Sequence, residues 1–205
     1  MIRILAWRVP PYDNGCYLLV DARNEAVLVD PAMGERVVLD ALREQGIKLL
    51  EILNTHGHPD HVFGNAAVKE ATLARLAIHR LDAYRLGASR PSTSFEVPHA
   101  DPDDLIEEGP LRYLADVRME ALHTPGHTEG STCFYLADDA LLFSGDVVFQ
   151  GNVGRVDLPG GDPRAMEQSL ARVASLPPDT RVYPGHGPAT TIAAELRWLR
   201  GFRFA

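Results

Sequence analysis

Cysteine is scarce in this sequence, with 2 among 205 residues. Two cannot build a disulfide framework. Cys16 and Cys133 each sit in an apolar run, Cys16-Tyr17-Leu18-Leu19-Val20 and Thr132-Cys133-Phe134-Tyr135-Leu136, and read as small buried hydrophobes in strands. Long apolar runs are missing too. No stretch approaches the ~18 apolar residues that span a membrane, which argues against a membrane helix. The N-terminus, Met1-Ile2-Arg3-Ile4-Leu5-Ala6-Trp7-Arg8, has neither a long apolar core nor a small-residue cleavage site, so no signal peptide is expected. A soluble, reducing, cytoplasmic setting is the expectation. Positive charge is also thin: 20 Lys and Arg stand against 28 Asp and Glu, net −8, with no basic run. Phosphate backbones are bound mainly through Lys and Arg, so the balance weighs against a nucleic-acid partner, although a local basic patch can still serve one.

What is present is ordinary globular material, 45% hydrophobic and 23% charged. The length suits one domain over residues 1–205, able to bury about 70% of its unfolded surface without disulfide support. Strands are predicted over 2–7, 16–20 and 26–29, the last two joined across the polar spacer 21–25. A helix over 35–45 places Val38, Ala41 and Leu42 on one face, with Gly46 just past its end. A buried strand follows over 49–53, then a helix over 62–76, a short strand over 77–79 and a helical turn over 81–86. Residues 87–110 carry four prolines and an acidic cluster, and read equally as a binding loop or a solvated connector. Strands return over 111–114, 117–122, 131–136 and 141–144. Asp162-Pro163 is an N-cap followed by proline at the first helical position of a helix reaching about 174. A strand over 181–183 and a helix over 189–199 finish the chain. This order predicts an α/β protein with antiparallel or mixed sheets and helices outside. The two halves look alike, and Pro-Gly-His occurs at both 125–127 and 184–186.

The histidines carry the chemistry. A strand runs directly into His56-Gly57-His58-Pro59-Asp60-His61, four potential ligands in six residues. Imidazole and carboxylate suit zinc and similar divalent ions. Gly57 and Pro59 favour a tight loop. His56 and His58 alternate in an extended segment and point the same way, whereas Asp60 and His61 stand at the start of the next helix. Two neighbouring metals fit this better than one, and each then needs further ligands. His127, Asp146 and His186 each lie just past a strand beside a glycine, where loops gather to form sites. Of the other histidines, His123 reads as structural or supporting, and His79 and His99 as packing or surface residues.

The motif His56-x-His58-x-Asp60-His61, followed in order by His127, Asp146 and His186, resembles the metallo-β-lactamase superfamily over essentially the whole chain. The resemblance implies a four-layer αβ/βα sandwich of two mixed sheets with helices outside. It implies that His56, His58 and His127 hold one metal, that Asp60, His61 and His186 hold a second, and that Asp146 bridges them. Aspartate rather than cysteine at the bridging position points away from the lactam-cleaving branch. Together with Phe143-Ser144-Gly145-Asp146 and Gly154-Arg155-Val156-Asp157, it is similar to the glyoxalase II-like branch, whose members hydrolyse hydroxyacyl-glutathione thioesters of the S-lactoylglutathione type. Arg155 aligns with a basic residue that contacts glutathione there, while Asp157 stands where those enzymes carry tyrosine. The short stretch after His186 fits one helix and a tail, so their C-terminal helical domain is not expected.

Two divalent ions, zinc with iron or manganese as alternatives, would share a bridging hydroxide formed near neutral pH and polarise the substrate carbonyl. A thiol leaving group has a pKa near 8–9 and needs no strong general acid. Asp60 is a candidate for orienting the hydroxide. Arg155 is a candidate for a substrate carboxylate, or else an ion pair with Asp157 or Asp162. The rival readings are a mononuclear iron persulfide dioxygenase, which in such relatives uses only the equivalents of His56, His127 and Asp146, and a lactonase, phosphodiesterase or nuclease on the same fold.

Overall fold

A computed structural model describes residues 2–86, 96–111 and 117–204. Sheet A holds β1 (Arg3–Val9), β2 (Asn14–Val20), β3 (Glu25–Val29), β4 (Lys48–Asn54), β5 (Arg75–His79) and β6 (Asp104–Ile106), in that spatial order. The first three pair antiparallel and the rest parallel. Sheet B holds β7 (Gly109–Leu111), β8 (Met119–His123), β9 (Thr132–Leu136), β10 (Leu141–Gly145), β11 (Arg181–Pro184) and β12 (Thr190–Thr191), also in chain order, with β10 and β11 as its parallel pair. Both sheets are mixed. Helix α1 (Glu35–Gln45) crosses between β3 and β4, α2 (Pro59–Val62) and α3 (Asn65–Thr72) between β4 and β5, and α4 (Pro163–Val173) between β10 and β11. Helix α5 (Ile192–Leu199) follows β12. No helix among the described residues is long and apolar enough to cross a membrane.

The layering follows from period-two alternation in strands buried on both faces. On β2, Cys16, Leu18 and Val20 face the cluster that includes Val38 and Leu42 of α1 and Val68 of α3, while Tyr17 and Leu19 face the other sheet. On β9, Phe134 and Leu136 meet them there, and Cys133 and Tyr135 turn outward to Met166 and Leu170 of α4 and Ile192 of α5. The result is helix, sheet, sheet, helix. Both cysteines are free and buried against helices.

Several predicted bounds are corrected. The helix predicted over 62–76 is two helices, and it ends at Thr72 because Leu73 turns left-handed with φ 60°. The break falls at Gly64, where a Cβ would stand 2.7 Å from the Ala32 carbonyl oxygen. The helix predicted over 189–199 starts at Ile192, capped by the Thr191 hydroxyl accepting from the Ala194 N–H, and Thr190–Thr191 pair as strand. Residues 104–106 and 109–111 are edge strands rather than irregular loop. Backbone pairing prevails there over weak side-chain patterning, and an edge tolerates Pro110. The predicted strand over 111–114 runs into 112–116, which with 87–95 lies outside the described residues. The two Pro-Gly-His repeats both belong to the second half, one between β8 and β9 and one after β11. The partner of the His186 loop in the first half is therefore the loop after β4.

Candidate metal centre

Strands β3, β4, β10 and β11 end at the same edge of the sandwich, and the β8–β9 turn joins them there. Thr55 leaves β4, and His56, Gly57 and an extended His58 (φ −70°, ψ 145°) lead to Pro59 at the first position of the one-turn helix α2. That turn carries Asp60 and His61. His127 comes from the β8–β9 turn, Asp146 follows Gly145 at the end of β10, and His186 follows Pro184-Gly185 at the end of β11. The seven sequence-predicted ligands converge in two adjoining groups.

In the first group the rings of His56, His58 and His127 lie 4.4–4.8 Å apart between centroids, and His58 Nδ1 is 2.7 Å from His127 Nε2. In the second, His61 Nε2 and His186 Nε2 are 3.2 Å apart, and the Asp60 carboxylate is 3.6 and 3.3 Å from them. Asp146 lies between the groups. Its Oδ2 is 3.3 Å from His127 Nε2 and 3.4 Å from His186 Nε2, and its Oδ1 is 3.4 Å from His61 Nε2. Donor atoms of His56, His58 and His127, and of Asp60, His61 and His186, are close enough together to hold an ion.

The hydrogen bonds decide which ring nitrogens face inward. His127 Nδ1 reaches the Arg155 carbonyl at 2.7 Å and His186 Nδ1 the Tyr12 carbonyl at 2.8 Å; both nitrogens must donate. His61 Nδ1 donates to Asp30 Oδ2 at 3.0 Å. His56 Nδ1 donates to the Thr55 hydroxyl at 3.1 Å, since that hydroxyl is itself committed to Asp30 at 2.6 Å. With each Nδ1 turned outward to its partner, each Nε2 faces the centre, the arrangement that outer partners impose on metal-ligating histidine. His56 Nε2 and Asp146 Oδ1 are buried with no hydrogen-bond partner among the described residues. Converging lone pairs repel one another, and a divalent cation resolves that repulsion. The residues therefore fit a metal-binding cluster.

The two groups differ electrically. Burial, and then neighbouring histidines, push His56 well below its ordinary range and His58 down to about 3. Burial opposes charge on His61 and His186 too, but there the carboxylates outweigh it. Asp146, Asp60 and Asp30 lift His61 to about 9, and bonds to Asp146 and Asp60 lift His186 to about 11. Burial works against ionised Asp60 and Asp146, yet the adjacent imidazoles hold Asp60 well below its usual range and Asp146 at about 2.

Arg155 stands apart. Its exposed guanidinium makes two 2.7 Å bonds to Asp157, while its backbone carbonyl orients His127. His123 and His79 stack on each other at 4.2 Å, outside the cluster, and exposed His99 lies 3.2 Å from Asp101. Sequence reasoning missed the outer partners. Asp30, read only as a strand stop, accepts from the Thr55 N–H and hydroxyl and from His61, all while buried. A polar residue ending an apolar strand beside the motif strand was the available signal. Asn14 holds Asp60 through a 2.9 Å bond. Gly185 leaves room for the Asp146 carboxylate, which a Cβ there would displace.

Residues 10–186 match the family described as the metallo-beta-lactamase superfamily. The hydroxyacylglutathione hydrolase GloC of Haemophilus influenzae is 32% identical, with 92% of each chain covered. The probable metallo-hydrolase YqgX of Bacillus subtilis is 32% identical over 93% of this chain and 94% of its own. The hydroxyacylglutathione hydrolase of Cereibacter sphaeroides is 40% identical over 85% of this chain but only 62% of its own length. Among solved structures, the B3 metallo-beta-lactamase BLEG-1 superposes with TM-score 0.90 at 32% identity, covering 95% of this chain and 97% of that one. TTHA1623 in a di-iron-bound form superposes with TM-score 0.86 at 37% identity, covering 94% and 97%.

Proposed function

This chain belongs to the metallo-beta-lactamase superfamily, and we propose that it is a binuclear thioester hydrolase acting on a hydroxyacyl-thiol of the S-lactoylglutathione type. In this reading His56, His58 and His127 hold one divalent ion, Asp60, His61 and His186 hold the other, and Asp146 spans the two. Zinc suits the mixed nitrogen and oxygen donors, and the di-iron neighbour keeps iron in view. When bound, such a pair supplies a hydroxide nucleophile at neutral pH and polarises the scissile carbonyl.

The protein's own part is placement. The bonds to Arg155, Tyr12, Asp30 and Thr55 fix four imidazoles before substrate arrives. Asp60, held by Asn14, is set to orient the attacking water. No side chain need protonate the leaving group, because a thiolate departs unaided near neutral pH. Arg155 contacts a substrate carboxylate only by giving up Asp157. Buried, free Cys16 and Cys133 accord with a reducing cytoplasmic setting.

The observation that carries the reading is the convergence of seven donors in two groups sharing Asp146. The similarity to GloC over nearly the whole of both chains supports the thioester. The test is metal analysis of purified protein together with thiol release from S-lactoylglutathione. About two metals per chain and thiol release are expected. One iron per chain, with oxygen consumed on a persulfide and no thioester cleavage, overturns the reading in favour of a dioxygenase. A β-lactam is the necessary control substrate, since the likeness to BLEG-1 is as extensive as that to GloC.

A further inference from the structure

We propose that Asp82 is a positioning residue that sets the first metal triad across the two sheets, an inference that rests on the ligand assignment above. Asp82 follows β5 of sheet A, at the entry to the 3-10 turn Ala83–Arg85, and is 0% exposed. Its Oδ2 accepts from the Gly57 N–H at 2.7 Å and from the Thr128 hydroxyl at 2.7 Å. Its Oδ1 accepts from the Gly130 N–H at 2.9 Å and lies 3.4 Å from Arg85 Nε.

The positions of these donors matter more than their number. Gly57 is the residue between His56 and His58. Thr128 and Gly130 lie just beyond His127. One buried carboxylate thus ties the loop after β4 in sheet A to the β8–β9 turn in sheet B, and those two loops together supply the whole first triad. Arg85 extends the brace by donating to the Pro159 carbonyl at 2.9 Å and pairing with Glu129. The fit is tight at Gly130, where a Cβ would stand 2.8 Å from Asp82 Cβ. A buried carboxylate is tolerated only when its donors are in place, so Asp82 and the two loops hold one another in a single arrangement. Among the described residues, the bonds of Asp82 go to Gly57, Thr128 and Gly130, and none goes to Asp60, His61 or His186. Its influence is therefore selective for the first triad.

The test is titration of cobalt(II) into metal-free protein, read by binding stoichiometry, affinity and visible absorption. Backgrounds that isolate each triad separate the two sites: His186→Ala leaves the first, and His127→Ala leaves the second. Asp82→Asn is expected to weaken the site remaining in His186→Ala by 10–100-fold, the usual effect of losing an outer partner, and to leave the site remaining in His127→Ala within about twofold. The melting temperature of the metal-free protein is recorded alongside. Equal weakening of both sites, or no change in either, overturns the proposal. If Asp82→Asn does not fold, Thr128→Val removes a single donor and is expected to weaken the first site in the same selective way, with Thr128→Ser restoring it; failure of that pattern also overturns it. Unsubstituted protein that takes up no cobalt removes the ligand assignment itself, and with it this inference. Two tight sites in that protein with equal weakening in the variant overturn the inference alone.

Discussion

The first triad consists of three imidazoles, two of them held neutral, enclosed where the two sheets meet. The second mixes a carboxylate with two imidazoles drawn toward charge, and its outer members are more open, with side-chain exposures of 26% for His186 and 22% for Asp60. Their supports differ as well. At the first, the groups that touch the imidazoles are neutral, the Arg155 carbonyl and the Thr55 hydroxyl, and the Asp82 carboxylate acts one step back through Gly57, Thr128 and Gly130. The second has the Asp30 carboxylate behind His61 and Asn14-bound Asp60 beside His186, whose outer nitrogen meets the Tyr12 carbonyl. A nitrogen-only pocket with fixed walls selects by geometry, whereas a more open one that includes a carboxylate adds a charged oxygen donor. The two halves of one centre therefore present different chemistry to a cation.

The largest effect is expected where the comparison collapses. Asp146→Ala removes the group common to both triads and should cost most of both metals and about 1,000-fold or more in turnover, checked by metal content and thiol release. Next come the variants that separate the triads. His127→Ala should empty the first while keeping the second, and His186→Ala the reverse; metal content near one per chain in each checks this, and loss of both metals in either would show that the triads are not independent. Gly185→Ala should have a smaller effect, on the order of 10–100-fold in metal affinity, because the new methyl displaces the Asp146 carboxylate without deleting it.

The smallest effect on either triad is expected from Glu51→Gln. Glu51 is buried in β4, and burial, then Asp104, raises its carboxyl to about 8. Its folded value lies above its ordinary one of 4.5, so its contribution to stability is fully present below about pH 4.5 and is lost as pH rises through about 8. Metal-free protein should lose on the order of 2–4 kcal/mol over that window through this group, and Glu51→Gln should flatten the loss. Thermal melting at pH 5 and pH 8 reads it, with metal content unchanged.

How much of this was legible from residues alone follows the same division. The ligands announced themselves, because His56-Gly57-His58-Pro59-Asp60-His61 packs four donors into six residues and three further loop donors follow strands. The strands of both sheets were legible wherever both faces are buried, as in β2, since burial on both sides leaves an unbroken apolar run. The edge strands at 104–106 and 109–111 were not, because three-residue edges owe their form to backbone pairing rather than to side-chain pattern. The outer partners stayed hidden for another reason. Asp82 and Asn14 are ordinary polar residues until the fold brings them to Gly57 and Asp60 from 25 and 46 residues away. Arg155 shows the converse: its side chain drew attention, and the structure uses its carbonyl.

The bond from His186 to the Tyr12 carbonyl closes a loop of 174 residues, and Tyr17 reaches Pro184 across 167. Contacts this distant in sequence form late, because chain entropy must be overcome before they contribute. The first triad and the Arg155 carbonyl that orients His127 need only residues up to Arg155, so during refolding that triad can be complete while the second still waits for the β11 end to return to the start of β2. Metal that binds only the finished second triad would then act as a latch on the last step of folding, lowering the unfolding rate more than it raises the folding rate.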